Sequence, residues 1–240
     1  MTLDCAYLLT KMFHSFVPVK EKRRALKGQL EAYKIATIVD GDKKRKPRFK
    51  ELKGWSVIKA GKGVDNHLFL HTPLHKNHVH ILMSGSHNTL DLGSNFEGGM
   101  SIWFNDSNAL VKIGKNCIFA HVDFFPSFCN IEVGEDTMMS RDVEIWGHDQ
   151  HVILDAKTKK LLNAEKTTLH IGNHCWIGAG ASILKNGTIP DNTIVGTHAV
   201  VTKPYTQPYT ALGGNPAKLI KTDISWSTET VDLYLKTHKE

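Results

Sequence analysis

A short segment near the middle of the chain carries the residues best suited to proton transfer. It reads GHDQH and contains His148, Asp149 and His151. An imidazole ordinarily titrates near neutral pH, so either histidine could accept a proton from an alcohol and return it later. Asp149 could orient the ring of His151 or stabilise its charged form, and at this spacing it could equally cap the loop. The segment predicts a general base, with His151 and His148 as rival candidates.

These residues open an interruption in a repeating pattern. Between Trp146 and Leu169, roughly 24 residues separate two well-formed stretches of the repeat. A long excursion from a compact repeat is usually functional. We therefore expect an inserted loop, 146–169, held in place by the repeat on either side.

The repeat itself has a period of six residues. Its first position is β-branched in every clean block, and the fifth position is small in the first five of them. A helix would need a period of 3.6 and a flat strand a period of two. A period of six suits short strands joined by corners, three to a coil of roughly 18 residues, stacked as a solenoid. The clean blocks from Ile171 are IGNHCW, IGAGAS, ILKNGT, IPDNTI, VGTHAV and VTKPYT, and VGEDTM and MSRDVE precede the interruption.

At these motifs the sequence resembles a known family. The repeat, the closing GGNPAKLIK and the Asp-x-His of GHDQH are similar to the hexapeptide-repeat acetyltransferases. Residues 131–220 resemble more closely the maltose/galactoside and the bacterial capsule polysaccharide O-acetyltransferases; about 90 of the 240 residues match well and about 60 more weakly. The resemblance implies an all-β solenoid, a left-handed parallel β-helix with short helical N- and C-terminal segments.

The resemblance also implies an activity, the acetyl-CoA-dependent O-acetylation of a saccharide in capsule or lipopolysaccharide synthesis. His151 then takes the place of the base, with Asp149 beside it, and no covalent enzyme intermediate is needed. Trp176 stands at an outward position and is expected to line the cleft between donor and acceptor; an aromatic packed between coils or subunits is the alternative. The family assembles as trimers with active sites between subunits, so a homotrimer is expected.

The acetyl-CoA donor needs accessible main-chain groups and cations for its phosphates. By resemblance, the side-chain-poor corner of WIGAGA meets the pantetheine arm, and three residues follow it along one edge. The two lysines of the closing motif meet the phosphates. Lys218 stands where many relatives carry Arg, which disfavours bidentate phosphate binding there. For each lysine the alternative is a solvated surface charge. The implied donor residues are Gly178, Ala179, Thr197, Thr202, Lys203, Lys218 and Lys221.

The formal net charge of +6 is distributed unevenly along the chain. Residues 1–55 carry a net +8 and the remaining 185 residues a net −2. We therefore predict a basic, partly helical segment 1–55, a catalytic solenoid 56–205 and a C-terminal tail 206–240. The N-terminal segment has the composition of an interfacial helix, which favours peripheral contact with the inner membrane surface; a helix packed on the trimer is the alternative. The basic residues are not interleaved with aromatic residues on which bases could stack, which disfavours a nucleic-acid partner.

Cysteine usage and hydropathy indicate where the protein works. The four cysteines lie far apart with no CxxC pair, which suits a reducing compartment. No apolar run approaches the roughly 20 residues that span a bilayer. A cytoplasmic location is therefore expected, in part at the cytoplasmic face of the membrane. Cys117 and Cys175 occupy the small inward position of their blocks and are expected in the core, not as nucleophiles.

Three other functions stay open. The first is a zinc hydratase. It is suggested by the six histidines from His67 to His87, since γ-class carbonic anhydrases bind zinc through three histidines on the same fold. Their spacing is irregular, and no metal site is predicted. N-acetylation of an amino-sugar nucleotide is a second alternative, although 1–55 lacks the glycines of the dinucleotide-like domain that such relatives often carry. The third is a catalytically silent solenoid that only binds a partner.

Overall fold

The computed structural model describes residues 20–59, 63–71 and 77–238. The helices are α1 (Lys20–Ile35) and α2 (Val231–Thr237), and a 3-10 turn spans Phe49–Leu52. The strands are β1 (Ala36–Asp40), β2 (Lys43–Arg45), β3 (Trp55–Lys59), β4 (His67–His71), β5 (His78–Met83), β6 (Thr89–Leu92), β7 (Glu97–Phe104), β8 (Leu110–Ile113), β9 (Ile118–Phe125), β10 (Cys129–Val133), β11 (Met138–Met139), β12 (Val143–Trp146), β13 (Thr167–Ile171), β14 (Trp176–Ile177), β15 (Ser182–Ile183), β16 (Thr188–Ile189), β17 (Ile194–Val195), β18 (Val200–Val201), β19 (Thr210–Gly213) and β20 (Lys218–Thr222).

The strands wind into a left-handed β-solenoid of about 7 turns, which confirms the predicted fold. Face one contains β1, β4, β6, β8, β10, β13 and β16; face two contains β11, β14, β17 and β19; face three contains β3, β5, β12, β15 and β18. The long strands β7 and β9 run through the corner between faces two and three. In β9, Ile118 pairs with β11 and Val122 pairs with β12. The antiparallel strands β2 and β20 lie at sheet edges.

Coil length changes along the solenoid. On face one, paired residues step by 22, 21 and 20 residues from β4 to β10. The next step, from Ile131 to Leu169, takes 38 residues, and the step from Ile171 to Ile189 takes 18. The early coils are thus longer than three blocks of six, which explains why the repeat is loose before Val133. The long step contains the inserted loop.

The repeat places one kind of residue in the core. The first residue of each clean block has no exposed surface, as in Ile177, Ile183 and Val195, and the fifth position is buried beside it, as in Ala181. Burying one such aliphatic side chain contributes about 1.5–3 kcal/mol, and parallel coils repeat that contribution at every turn.

The fourth position of the blocks has a separate role at the corners. Asn116, Asp136, His174 and Asn192 all have φ between 51° and 58°. This left-handed region excludes most side chains, while Asn, Asp and, less often, His tolerate it. The corners therefore favour Asn, Asp or His three positions after the buried first residue of each block. These polar side chains stack on one another along the outside of the solenoid.

The described cysteines lie in the core. Cys117 and Cys175 are buried with 0% exposure, as predicted from their position in the blocks. Burial raises the pKa of both thiols to about 12, so neither provides a thiolate near neutral pH. Cys5 lies outside the described residues.

Strand pairing at both ends of the solenoid reaches beyond the predicted segment 56–205. Strand β1 already pairs with β4, so the first coil begins inside the segment 1–55. Strand β19 pairs with β17, so the solenoid continues past Pro204 and Pro208. Helix α2 follows with no buried residue. Within the described ranges, no helix has both the length and the apolar character needed to cross a membrane.

Candidate active site

The inserted loop leaves the corner between faces three and one. Strand β12 ends at Trp146, and β13 begins at Thr167. The Gly147 amide donates to the carbonyl of Phe125 (3.0 Å), and the Thr167 hydroxyl donates to the carbonyl of Gly147 (2.6 Å). A Cβ on Gly147 would lie 2.6 Å from the Cβ of Cys129, so only glycine fits without a shift. These contacts fix the base of the loop against the core.

The Asp-x-His motif forms a three-residue turn. The His151 amide donates to the carbonyl of Asp149 at 2.7 Å, and Gln150 between them has φ 60°. Asn163, from the far side of the loop, donates to the carbonyl of His151 (2.7 Å) and to the carboxylate of Asp149 (3.1 Å). The same side chain accepts from the amide of Ile153 at 3.0 Å. One amide side chain therefore ties together the turn that presents His151.

The Asp149 carboxylate also accepts a hydrogen bond from Lys185, which lies at the corresponding corner of the next coil. Partial burial acts to raise the pKa of Asp149, but the hydrogen bonds from Lys185 and Asn163 outweigh it, and the pKa is lowered. The carboxylate is therefore ionised near neutral pH. Within the described residues it makes no hydrogen bond or ion pair with the ring of His151. Its contacts are those of a group that holds the loop, the capping role left open by the sequence.

Both rival histidines line one groove. The groove lies between the inserted loop and residues 106–108, and its volume of about 560 Å³ is typical of a small-ligand site. The His148 ring meets Phe128 edge to face, with 5.7 Å between ring centroids. His151 is exposed at the mouth of the loop. The geometry supports proton transfer by either histidine and leaves the choice between them open.

Trp176 lies on a different face from this groove. It begins β14 on face two and is 38% exposed. Its ring lies 6.0 Å from that of Trp226 in the C-terminal tail, at an interplanar angle of 43°. Within the described part of one chain, Trp176 does not contact the inserted loop, so the structure does not bring Trp176 and His151 together.

The predicted donor residues divide among two corners and the edge strand β20. Ile177 pairs with Val195, which sets Gly178 and Ala179 beside Gly196 and Thr197 at the corner that follows face two. A Cβ on Gly178 would lie 2.7 Å from the Thr197 amide nitrogen, so the glycine permits close stacking of the coils. The Ala179 carbonyl accepts from His198 at 2.9 Å, and the Ala179 amide donates to no group among the described residues.

The other donor residues lie elsewhere, which corrects the expectation of a single edge. Thr202 and Lys203 follow β18 at the next corner, because six residues span one face of an 18-residue coil. Lys203 lies over the Tyr205 ring at 5.7 Å. Lys218 and Lys221 are exposed on β20, the edge strand beside β19.

Three contributing residues were missed from the sequence. Lys185 could have been found by counting one coil onward from the loop base, since Ile145 pairs with Ile183. Asn163 and Trp226 carry no repeat signal. As for metals, the described residues contain no cluster of three or more His, Cys, Asp or Glu arranged to hold an ion, and His75 lies outside them.

The curated relatives that the chain resembles in sequence include several named as acetyltransferases. No family model matches the chain. The chain is 35% identical over 99 residues to a polysialic acid O-acetyltransferase of Escherichia coli O1:K1 / APEC, covering 41% of this chain and 32% of the relative. It is 49% identical over 51 residues to a chloramphenicol acetyltransferase of Agrobacterium fabrum, covering 21% of this chain and 24% of the relative. The chain thus spans a third or less of the length of these two relatives.

A solved structure of the polySia-specific acetyltransferase NeuO shares the fold. The TM-score is 0.64 at 24% sequence identity, over 77% of this chain and 94% of that chain. The sequence matches and the shared solenoid together confirm the resemblance of this chain to the hexapeptide-repeat acetyltransferases.

Proposed function

We propose that the protein is an O-acetyltransferase that moves an acetyl group from acetyl-CoA to a saccharide hydroxyl, in capsule or lipopolysaccharide synthesis. The observation that carries the proposal is the groove lined by His148 and His151 at the mouth of a loop whose backbone is tied down by Asn163. The sequence similarity to a polysialic acid O-acetyltransferase supports a saccharide acceptor. Relatives named as acetyltransferases support an acyl-CoA donor, and acetyl-CoA is the donor we propose.

The chemistry requires one base. His151 accepts the proton of the sugar hydroxyl while the hydroxyl oxygen attacks the thioester carbonyl. When the tetrahedral intermediate collapses, the carbon–sulfur bond breaks, and the imidazolium returns the proton to the leaving thiolate of coenzyme A. Main-chain amides such as that of Ala179 are suited to bind the donor or the oxyanion. The buried thiols of Cys117 and Cys175 take no part, since burial keeps them protonated.

A homotrimer belongs to the proposal. The His151 loop leaves the corner between faces three and one, whereas Trp176 stands on face two of the same chain. Two copies related by rotation can set the loop of one subunit against face two of the next, which forms one composite site per interface. Trp176 then lines the cleft between donor and acceptor. The donor residues are proposed to be Gly178, Ala179, Thr197, Thr202, Lys203, Lys218 and Lys221.

Contact with a membrane surface also stays a prediction. The apolar part of the N-terminal segment, residues 8–17, lies outside the described residues. Helix α1 presents Lys20, Arg24 and Lys27 to solvent beside an open groove of about 650 Å³. N-acetylation and zinc hydration stay as alternatives, and no contact among the described residues favours either.

The test is release of the coenzyme A thiol from acetyl-CoA with a panel of capsule oligosaccharides, polysialic acid oligomers and chloramphenicol. We expect release with a saccharide, and the acetylated product identified by mass spectrometry. His151→Ala should lower kcat at least a hundredfold, and His148→Ala should lower it less. His170→Ala, an exposed histidine near Glu132 on face one, is the matched control. Full turnover by His151→Ala would contradict the assignment of the base, and release with chloramphenicol alone would contradict the saccharide acceptor.

A further inference from the structure

A second cleft, which we name the tail cleft, opens where the C-terminal tail crosses the corner between faces one and two. Its volume is about 280 Å³. The tail contributes Trp226, Ser227 and Thr228, and the solenoid contributes three successive coils through Asn116, Asp136 and His174. Ligand sites are typically concave, with an apolar wall and a few placed polar groups. The tail cleft has that composition.

The wall of the tail cleft is held rigidly. The Trp226 ring stacks on that of His174 with 4.6 Å between centroids and an interplanar angle of 11°. The indole N–H donates to the carbonyl of His174 (2.8 Å), and the carbonyl of Trp226 accepts from Nε2 of the same histidine (3.2 Å). Two hydrogen bonds and a stacked ring therefore hold an indole in one orientation. A preorganised wall costs little ordering entropy when a ligand binds.

The floor of the tail cleft is apolar and continues to Trp176. Ile118, Met138 and Trp176 stand side by side on successive coils of face two. Ile118 is 42% exposed and Trp176 is 38% exposed. The tail thus places a second tryptophan, 6.0 Å away, beside the one proposed to line the transfer cleft.

The rim of the tail cleft carries a fixed carboxylate. Asn116 donates to Oδ1 of Asp136 at 2.9 Å, and Asn95 donates to Asn116 at 3.0 Å. The second carboxylate oxygen of Asp136 has no partner among the described residues, and the side chain is exposed. A fixed carboxylate oxygen accepts a hydrogen bond from a hydroxyl. Its negative charge disfavours an anionic group at the same place.

Resting on the proposed function, we infer that the tail cleft binds one sugar ring of the acceptor. The C–H face of the ring packs on the Trp226 indole, and a ring hydroxyl donates to Asp136. Trp176 begins β14, and the corner with Gly178 and Ala179 follows it, so the donor and the tail cleft lie on opposite sides of Trp176. The arrangement selects a hydroxyl-bearing part of the acceptor, away from any carboxylate it carries.

The test measures saccharide binding without donor, by ligand-observed NMR with polysialic acid oligomers and with maltose, alongside steady-state kinetics. Trp226→Ala should weaken saccharide binding about tenfold and raise the KM for saccharide equally, with the KM for acetyl-CoA unchanged. Trp226→Phe should retain most of the binding. Asp136→Asn keeps the wall intact and should weaken binding about fivefold, since the acceptor oxygen loses its charge.

Two matched variants serve as controls. Tyr234→Ala removes an exposed aromatic ring from α2, and Asp142→Asn neutralises another exposed corner aspartate; both should bind as the unmodified protein does. Unchanged saccharide binding in Trp226→Ala and Asp136→Asn would overturn the inference, as would an equal rise in the KM for acetyl-CoA. If the unmodified protein acetylates a saccharide and these variants behave normally, only the inference fails. If it neither binds nor acetylates any saccharide, the proposed function fails with it.

Discussion

Lys185 and Asp149 form an ion pair across two coils of the solenoid, 36 positions apart along the chain. Both side chains are partly shielded, with 34% and 23% of their surfaces exposed. The pair anchors the turn that presents His151 to the rigid stack of coils, because Lys185 belongs to a coil that has no insertion. Asp149 thereby becomes part of the support for the loop.

Replacing Lys185 should lower catalysis without weakening donor binding. In Lys185→Met the aliphatic stem remains and the cation is lost, so the loop keeps only Asn163 as its tie to Asp149. A displaced base is expected to cost about tenfold or more in kcat, with the KM for acetyl-CoA unchanged. Lys185→Arg should keep most of the activity because it restores a cation. Wild-type kcat in Lys185→Met would contradict the role of the pair.

Acid should weaken this anchor at a defined point. The pKa of Asp149 is lowered below its ordinary value of 3.8, although partial burial opposes the shift, because Lys185 and Asn163 stabilise the ionised form. The stabilisation is therefore fully present above the ordinary pKa and is lost as the pH falls through the lower folded-state value. Urea unfolding of wild type and Asp149→Asn should differ at pH 6 and converge toward pH 2. A difference that stays constant with pH would contradict this.

The proposed composite site between subunits predicts complementation between inactive variants. Trimers of His151→Ala and trimers of Trp176→Ala should each have low activity. After unfolding and refolding together, random mixing leaves about one quarter of the interfaces with both residues intact, and activity should return to that fraction. Mixed trimers verified by native mass spectrometry that regain no activity would show that the two residues act within one chain or not at all.

The loop base should tolerate no side chain at Gly147. In Gly147→Ala the new methyl group meets the Cβ and sulfur of Cys129 at 2.6 and 2.7 Å. Overpacking of this kind typically costs about 1–3 kcal/mol of unfolding free energy. Gly196→Ala is the control, since its nearest contact would be a carbonyl oxygen at 3.3 Å. Adding Cys129→Ala to Gly147→Ala should recover part of the loss, and a strictly additive double variant would argue against the clash.

Much of the fold could be predicted because the repeat is local. A β-branched residue every six positions, a small residue beside it and a polar residue in the left-handed conformation are each satisfied within one block, and parallel stacking then repeats the same contacts. Ile183 could therefore be assigned to the core from its place in the pattern. The inserted loop was equally visible, since it breaks the period.

Contacts between coils could not be read from the period. Whether Lys185 reaches Asp149 depends on the number of residues in each coil, and that number changes from 22 to 18 along the chain. For the same reason Thr197 and Thr202, five residues apart, lie at different corners and not on one edge. Trp226 lies in a tail without a repeat, so only its packing on His174 places it beside Trp176. The sequence alone thus determined the solenoid, its core and its inserted loop, because these follow from local patterning. The tertiary structure decided which distant side chains meet, because stacking register depends on coil length summed over the whole chain.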